Sequence, residues 1–153
     1  MVDYNYYKIN KRINLRINER ISIMTETALK CFLRASSLDD KGDREGSIEA
    51  YRLCVEEIDP KYVLAWNNLG ELLIDHKKDI AGAEHAFKKA LEFNPKNPEV
   101  WNNLGHLLMD HKEDYAGAII AFKKVLAIDP EYADAKYSVD YIFEVLLYDG
   151  GIP

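Results

Sequence analysis

Cysteine is scarce in this chain: two in 153 residues, Cys31 and Cys54. Both fall on apolar helical faces, so they read as buried free thiols of a reducing compartment rather than as a disulfide framework. Long apolar runs are absent as well. No stretch of 18 apolar residues occurs, which excludes a membrane-spanning helix. Residues 1–23 lack an apolar core between a charged flank and a cleavage site, so no secretory signal is read and the cytoplasm is the expected address.

The chemistry of a catalytic site is missing too. The eight glycines form no phosphate-cradling loop, and no Ser or Cys nucleophile stands near a base at helical spacing. Of the four histidines, His76 and His111 are 35 residues apart. On adjacent helices they would lie roughly 10 Å from each other, too far to share one metal ion. Asp75-His76 and Asp110-His111 do not make dyads, because neighbours one apart on a helix do not face each other. The reading is a non-enzyme with neither metal nor cofactor.

Positive charge is confined to one end. Residues 1–23 hold Lys8, Lys11, Arg12, Arg16 and Arg20 against Asp3 and Glu19, a net of +3; the total of −6 then leaves −9 on residues 24–153. Nucleic acid is not an expected partner, since phosphate contacts need a basic face.

What the chain does contain is a repeat. Trp66 to Gly70 reads W-N-N-L-G, and Trp101 to Gly105 reads the same; residues 66–93 match 101–128 at 19 of 28 positions. Trp66, Leu69 and Leu73, at i, i+3 and i+7, predict one face of a first helix, and Ala83, Phe87 and Ala90, at i, i+4 and i+7, one face of a second. Gly70 and Gly105 sit inside the first helices, where glycine costs about 1 kcal/mol against alanine. Close approach of the paired helix is the expected reason. Asn94-Pro95 and Asp129-Pro130 end the second helices, because proline disfavours a helical residue before it. Asp59-Pro60 marks a weaker third copy upstream, with Cys31, Arg34, Ala35 and Leu38 where Trp66, Leu69, Gly70 and Leu73 stand. Pro60 and Pro95 are still 35 residues apart, yet the turn at Gly42-Asp43 is one residue shorter than those at Asp75–Asp79 and Asp110–Asp114. The first copy should therefore carry its extra residue in its second helix, around Tyr51 to Ile58.

This skeleton closely resembles the tetratricopeptide repeat, W-x2-L-G-x2-Y, then A-x3-F, then P, over about 34 residues. The resemblance implies an all-α fold, a right-handed superhelical array of antiparallel helix hairpins, or α-solenoid. Three repeats at about 28–62, 63–97 and 98–132 and a capping helix at 133–148 would make one array over 24–148, with both Trp66 and Trp101 buried between helices. Residues 1–23 then form a basic leader and 149–153 a tail. The leader repeats Ile-Asn with a period of four; it reads as a dispensable or disordered segment, the weaker alternative being an amphipathic helix that lies on an anionic membrane surface or docks on a partner.

The resemblance also implies a function: a protein-protein interaction scaffold holding an extended or helical peptide in a concave groove lined by first-helix residues. Carried over, the groove is expected at Phe32, Ser36, Asn67, Asn68, Glu71, Asp75, Asn102, Asn103, His106 and Asp110, with Tyr137 and Tyr141 closing its far end. The basic residues with which family members clamp the carboxyl terminus of chaperone tails are replaced by Phe32, Ser36, Glu99 and Asn103, and only Asn68 agrees. A basic or neutral partner segment is expected, since acidic side chains set the sign of the field. Tandem asparagines are costly in helices, and Asn68 with Asn103 could grip a peptide backbone every third residue; as ordinary family consensus they would need no ligand. Residues 136–148 look apolar nearly all round. The alternative function is thus a self-assembling module dimerising through Tyr141, Ile142 and Leu146, closed two-fold pairing being the commonest way to bury such a surface.

Overall fold

The computed structural model describes residues 27–148, all helices and connecting turns, so the leader, its junction at Met24 and the tail lie outside the described residues. The chain divides into two compact units between Tyr62 and Val63.

In the first unit, helix α1 covers residues 27–40 and α2 covers Arg44–Leu53, continuing through a wider π-helical turn at Cys54–Ile58. Gly42, at φ +80°, closes α1: its N–H bonds Asp39 O at 2.8 Å and the next N–H, of Asp43, bonds Leu38 O at 2.9 Å. Asp43 also starts α2, its carboxylate accepting the Gly46 N–H at 3.0 Å. The helices are tied by the Ser47 hydroxyl donating to Ala35 O at 2.8 Å and the Cys31 thiol to Ala50 O at 3.3 Å. Both cysteines are buried free thiols. Burial, with the nearby Cys31 and Asp59, pushes the Cys54 thiol up to about 12.

The second unit stacks two hairpins and a last helix. Helix α3 (Val63–Leu72) runs on through Leu73–Lys77, α4 is Ile80–Phe93, α5 (Pro98–His106) runs on through Leu107–His111, α6 is Tyr115–Ile128 and α7 is Ala133–Tyr148. Asp79 caps α4 through Gly82 N at 2.9 Å, Asp114 caps α6 through Gly117 N at 2.9 Å, and Asn97 caps α5 with Pro98 in its first turn. Each helix packs on the next, α3 on α4, α4 on α5, α5 on α6 and α6 on α7.

The extra residue of each 35-residue copy is visible. In the first unit the cap Asp43 reaches back five residues to Leu38 O, whereas Asp79 N bonds Leu73 O and Asp114 N bonds Leu108 O, six residues back, each at 2.9 Å. The insertion is absorbed as a π-helical turn at the end of α3 and of α5. In the first copy it sits instead at the end of α2, where Asp59 N reaches back five residues to Cys54 O at 2.8 Å; Asn94 and Asp129 reach back four. That is the stretch in which the spacing of prolines places it.

The glycines answer to phenylalanines. A Cβ on Gly70 would lie 2.5 Å from the Phe87 ring, and one on Gly105 2.6 Å from the Phe122 ring; both rings are fully buried. One expectation is corrected here. Trp66 is buried, but Trp101 is only half-buried, its indole N–H turned to Pro95 O at 2.9 Å on the exposed rim. An indole with one polar edge keeps that edge where a carbonyl meets water.

Helix α7 is not apolar all round. Ala135, Ser138 and Ile142 face inward, with Ala135 and Ile142 in one cluster with Phe122 and Val125. Lys136, Asp140 and Glu144 make an exposed polar stripe. By the 35-residue period, Lys136 stands at the tryptophan position and Asp140 at the glycine position. Tyr137, Tyr141, Phe143, Leu147 and Tyr148 remain exposed.

Candidate functional site

Of the first helices of the second unit, α3, α5 and α7, the first two carry an asparagine one turn before the glycine, and these asparagines meet side chains of the neighbouring first helix. The asparagine pair divides its work. Asn67 is almost fully buried and donates from Nδ2 to Glu71 Oε1 at 3.0 Å, one turn on in the same helix. Asn103, from α5, donates to Asn67 Oδ1 at 3.0 Å and also to Glu71 Oε1. Both amide hydrogens of Asn103 are thereby spent inside the protein, so its part in a backbone ladder would rest on its carbonyl oxygen alone.

One repeat on, the arrangement changes because its partners change. Buried Asn102 donates to Asp134 Oδ2 at 2.7 Å, and the same oxygen lies 2.9 Å from His106 Nε2. Position 138 holds serine where position 103 holds asparagine, so no amide reaches back; Asn102 Oδ1 is buried without a hydrogen-bond partner. His106 also stands edge-on to Phe122, ring centroids 5.2 Å apart, with Nδ1 3.7 Å from Asp110. Asp134 and Ser138 are residues that sequence reasoning missed. Carrying the period of 35 from Glu99 and Asn103 into the last helix finds both.

The carboxylates differ. Burial drives the Glu71 carboxyl up, opposed by the hydrogen bonds from Asn67 and Asn103 and reinforced by Glu99 and Asp75, and the net is upward. Burial also pushes Asp134 up, but the hydrogen bonds from His106 and Asn102 outweigh it and hold this carboxyl below its ordinary value.

Two hollows follow from this stacking. One, of about 240 Å³, is lined by Glu71, Ile74, Asp75, Asn103, His106 and Asp110 among others. The second, of about 270 Å³, is lined by His106, Met109, Asp110, Asp134, Tyr137, Ser138 and Tyr141. Shifting Glu71, Ile74, Asp75, Asn103 and His106 by 35 gives His106, Met109, Asp110, Ser138 and Tyr141, so the second hollow is the repeat mate of the first.

The remaining sequence-predicted residues fall elsewhere. Asn68 is half-buried beside Asn67 on α3. Phe32 and Ser36 belong to the first unit, where the Phe32 ring is packed on Tyr62 and Tyr51 at centroid distances of 5.3 and 5.6 Å. Of the three residues expected at a dimer surface, Tyr141 is exposed and Leu146 half-buried, but Ile142 is completely buried against α6 and cannot line a surface. Among the described residues no helix is long and apolar enough to cross a membrane.

Comparison with known proteins agrees with this architecture. Residues 32–98 match one tetratricopeptide repeat model and residues 86–120 another. No curated protein sequence matches the chain. Among solved structures, the first tetratricopeptide domain of Spaghetti (RPAP3), bound to the HSP90 peptide SRMEEVD, is similar with a TM-score of 0.71 and 18% identity, over 78% of this chain and 93% of that one. MamA superposes with a TM-score of 0.71 and 25% identity, over 79% of this chain and 64% of that one. The Sgt2 tetratricopeptide domain from Aspergillus fumigatus gives 0.69 and 18%, over 82% and 84%. With two repeat models spanning residues 32–120 and a phenylalanine seated on the glycine of each hairpin in the second unit, the chain belongs to the tetratricopeptide repeat family.

Proposed function

We propose that this protein is a non-catalytic interaction scaffold and that the face formed by α3, α5 and α7 holds an extended segment of a protein partner. The observation that supports this most is the pair of repeat-related hollows, sharing His106 and Asp110 and walled by hydrogen-bonding side chains at one-repeat intervals. Adjacent helices of such a stack lie about 10 Å apart, which matches three residues of extended chain at roughly 3.3 Å each. A peptide laid along this face would place every third side chain at an equivalent hollow.

The carboxylates of Glu71, Asp75, Asp110 and Asp134 give the face its sign, so the segment is basic or neutral. The Spaghetti domain binds an acidic peptide, SRMEEVD; a face of this sign repels such a peptide. The test is affinity purification with the natural chain and with an Asp75→Lys, Asp110→Lys variant. Loss of a discrete set of bound proteins supports the reading, and identical recovery by both contradicts it.

Self-association is the second reading, and the exposed Tyr137, Phe143, Leu147 and Tyr148 on α7 favour it. Because Ile142 is core, the variant that separates copies is Phe143→Glu with Leu147→Glu. Light scattering that finds a monomer before and after these substitutions contradicts this second reading.

A further inference from the structure

The two hollows are equivalent by position but not by chemistry. Between α3 and α5 the far wall is Asn103 and His106; between α5 and α7 the same positions are Ser138 and Tyr141, and Tyr137 joins them. The amide wall has become a phenol wall. Tyr137 and Tyr141 lie stacked, ring planes 17° apart and centroids 6.5 Å apart, and they are 71% and 45% exposed. Four residues apart on α7, they present one contiguous aromatic surface to solvent.

Two carboxylates line the same cavity. Asp134 is fixed by Asn102 at 2.7 Å and His106 at 2.9 Å, and Asp110 is exposed beside the His106 ring. Neither lysine nor arginine lines the cavity, and Met109 adds an apolar side chain to its lining. A flat aromatic surface next to fixed negative charge suits one side chain above others. The guanidinium is planar, weakly hydrated, stacks on aromatic faces and pairs with a carboxylate through two parallel N–H donors, whereas an ammonium is a compact, strongly hydrated charge.

The geometry points to an arginine subsite: the cavity between α5 and α7 takes one arginine side chain of a bound peptide, its guanidinium on the tyrosine rings and its N–H groups toward Asp110 and Asp134. This rests on the peptide-scaffold reading and deepens it. The neighbouring hollow, with Glu71 and Asp75, then takes a second basic residue three positions away in the same peptide. The recognised segment has two basic side chains at a spacing of three, and the arginine is the one nearer α7.

The test is selection of a displayed library of random decapeptides on the full chain, repeated on Tyr141→Ala and on Asp110→Asn. Both residues are exposed, and circular dichroism checks that each variant is folded. The expected result is enrichment of arginine at one position with a second basic residue three positions off. The arginine preference, but not the second one, is lost on Tyr141→Ala. Fluorescence polarisation with one selected, fluorescein-labelled peptide should show about tenfold weaker binding on Tyr141→Ala. Replacing the peptide's arginine by glutamine should cost about as much, and combining the two changes little more. An enriched motif with no arginine, or an arginine preference that survives both substitutions, overturns the subsite and leaves the scaffold standing. Failure to enrich any motif overturns both.

Discussion

Gly70 and Phe87 share one volume: a methyl group on the glycine would stand 2.5 Å from the ring, and the same holds at 2.6 Å for Gly105 and Phe122. A ring buried on every side has nowhere to retreat. Gly70→Ala and Gly105→Ala should each destabilise by about 1–3 kcal/mol despite alanine's better helix propensity. Urea denaturation checks this, and a stabilising alanine at either position would show that the hairpins yield more easily than their packing implies.

The π-helical turns make a prediction of opposite sign. The turn at Gly42 uses glycine at positive φ, but the longer turns put Lys78 at φ 55° and Glu113 at φ 52°. A side chain there costs about 1 kcal/mol or more. Lys78→Gly and Glu113→Gly should each raise stability by about 0.5–1 kcal/mol, after glycine's greater freedom in the unfolded chain is subtracted. Thermal melts decide it, a fall in Tm for both being the contrary result.

Asn67 and Asn102 are equivalent by sequence and unequal in place. Asn67 uses its donor on Glu71 and its acceptor on Asn103, while Asn102 uses only its donor. Truncating Asn67 also deprives Asn103 of a partner. Asn67→Ala should therefore cost about 2 kcal/mol and Asn102→Ala about 1 kcal/mol. Equal losses would mean that the contact between α3 and α5 adds nothing.

Two carboxylates should respond to pH in opposite directions. Glu71 has a raised folded value, so its contribution is complete in acid and is lost as pH rises through that value. Asp134 has a lowered one, so its contribution is present at neutral pH and lost as pH falls through it. At pH 7, Glu71→Gln should raise Tm and Asp134→Asn should lower it, with both differences shrinking at pH 3. Melts of the two variants that shift in the same direction at pH 7 would contradict these assignments.

Much of the fold was legible because the repeat is written twice. Trp66, Gly70, Phe87 and Pro95 recur in step, and glycine inside a helix announced a close neighbour before any ring was seen. Even the position of the inserted residue in α2 followed from proline spacing. The site was harder to read. Asn67 and Asn68 are adjacent in sequence but differ in burial, and only the stacking of α5 on α3 decides which of them serves the core. Ile142 and Tyr141 are neighbours too, yet one is core and the other surface. Beyond the polar stripe of Lys136, Asp140 and Glu144, hydropathy cannot sort the apolar residues of α7, since buried Ile142 and exposed Phe143 and Leu147 read alike. Asp134, the repeat mate of Glu99, escapes a reading that carries the groove into the last helix only at Tyr137 and Tyr141.

The most direct test of the proposed binding face is nuclear magnetic resonance of the ¹⁵N-labelled chain titrated with a peptide bearing two arginines at a spacing of three. Binding on the face of α3, α5 and α7 predicts shift changes concentrated at Glu71, Asp75, Asn103, His106, Asp110 and Tyr141, with Lys88 and Lys123 on the second helices unmoved. Changes gathered on α4 and α6 instead, or none at millimolar peptide, would contradict it.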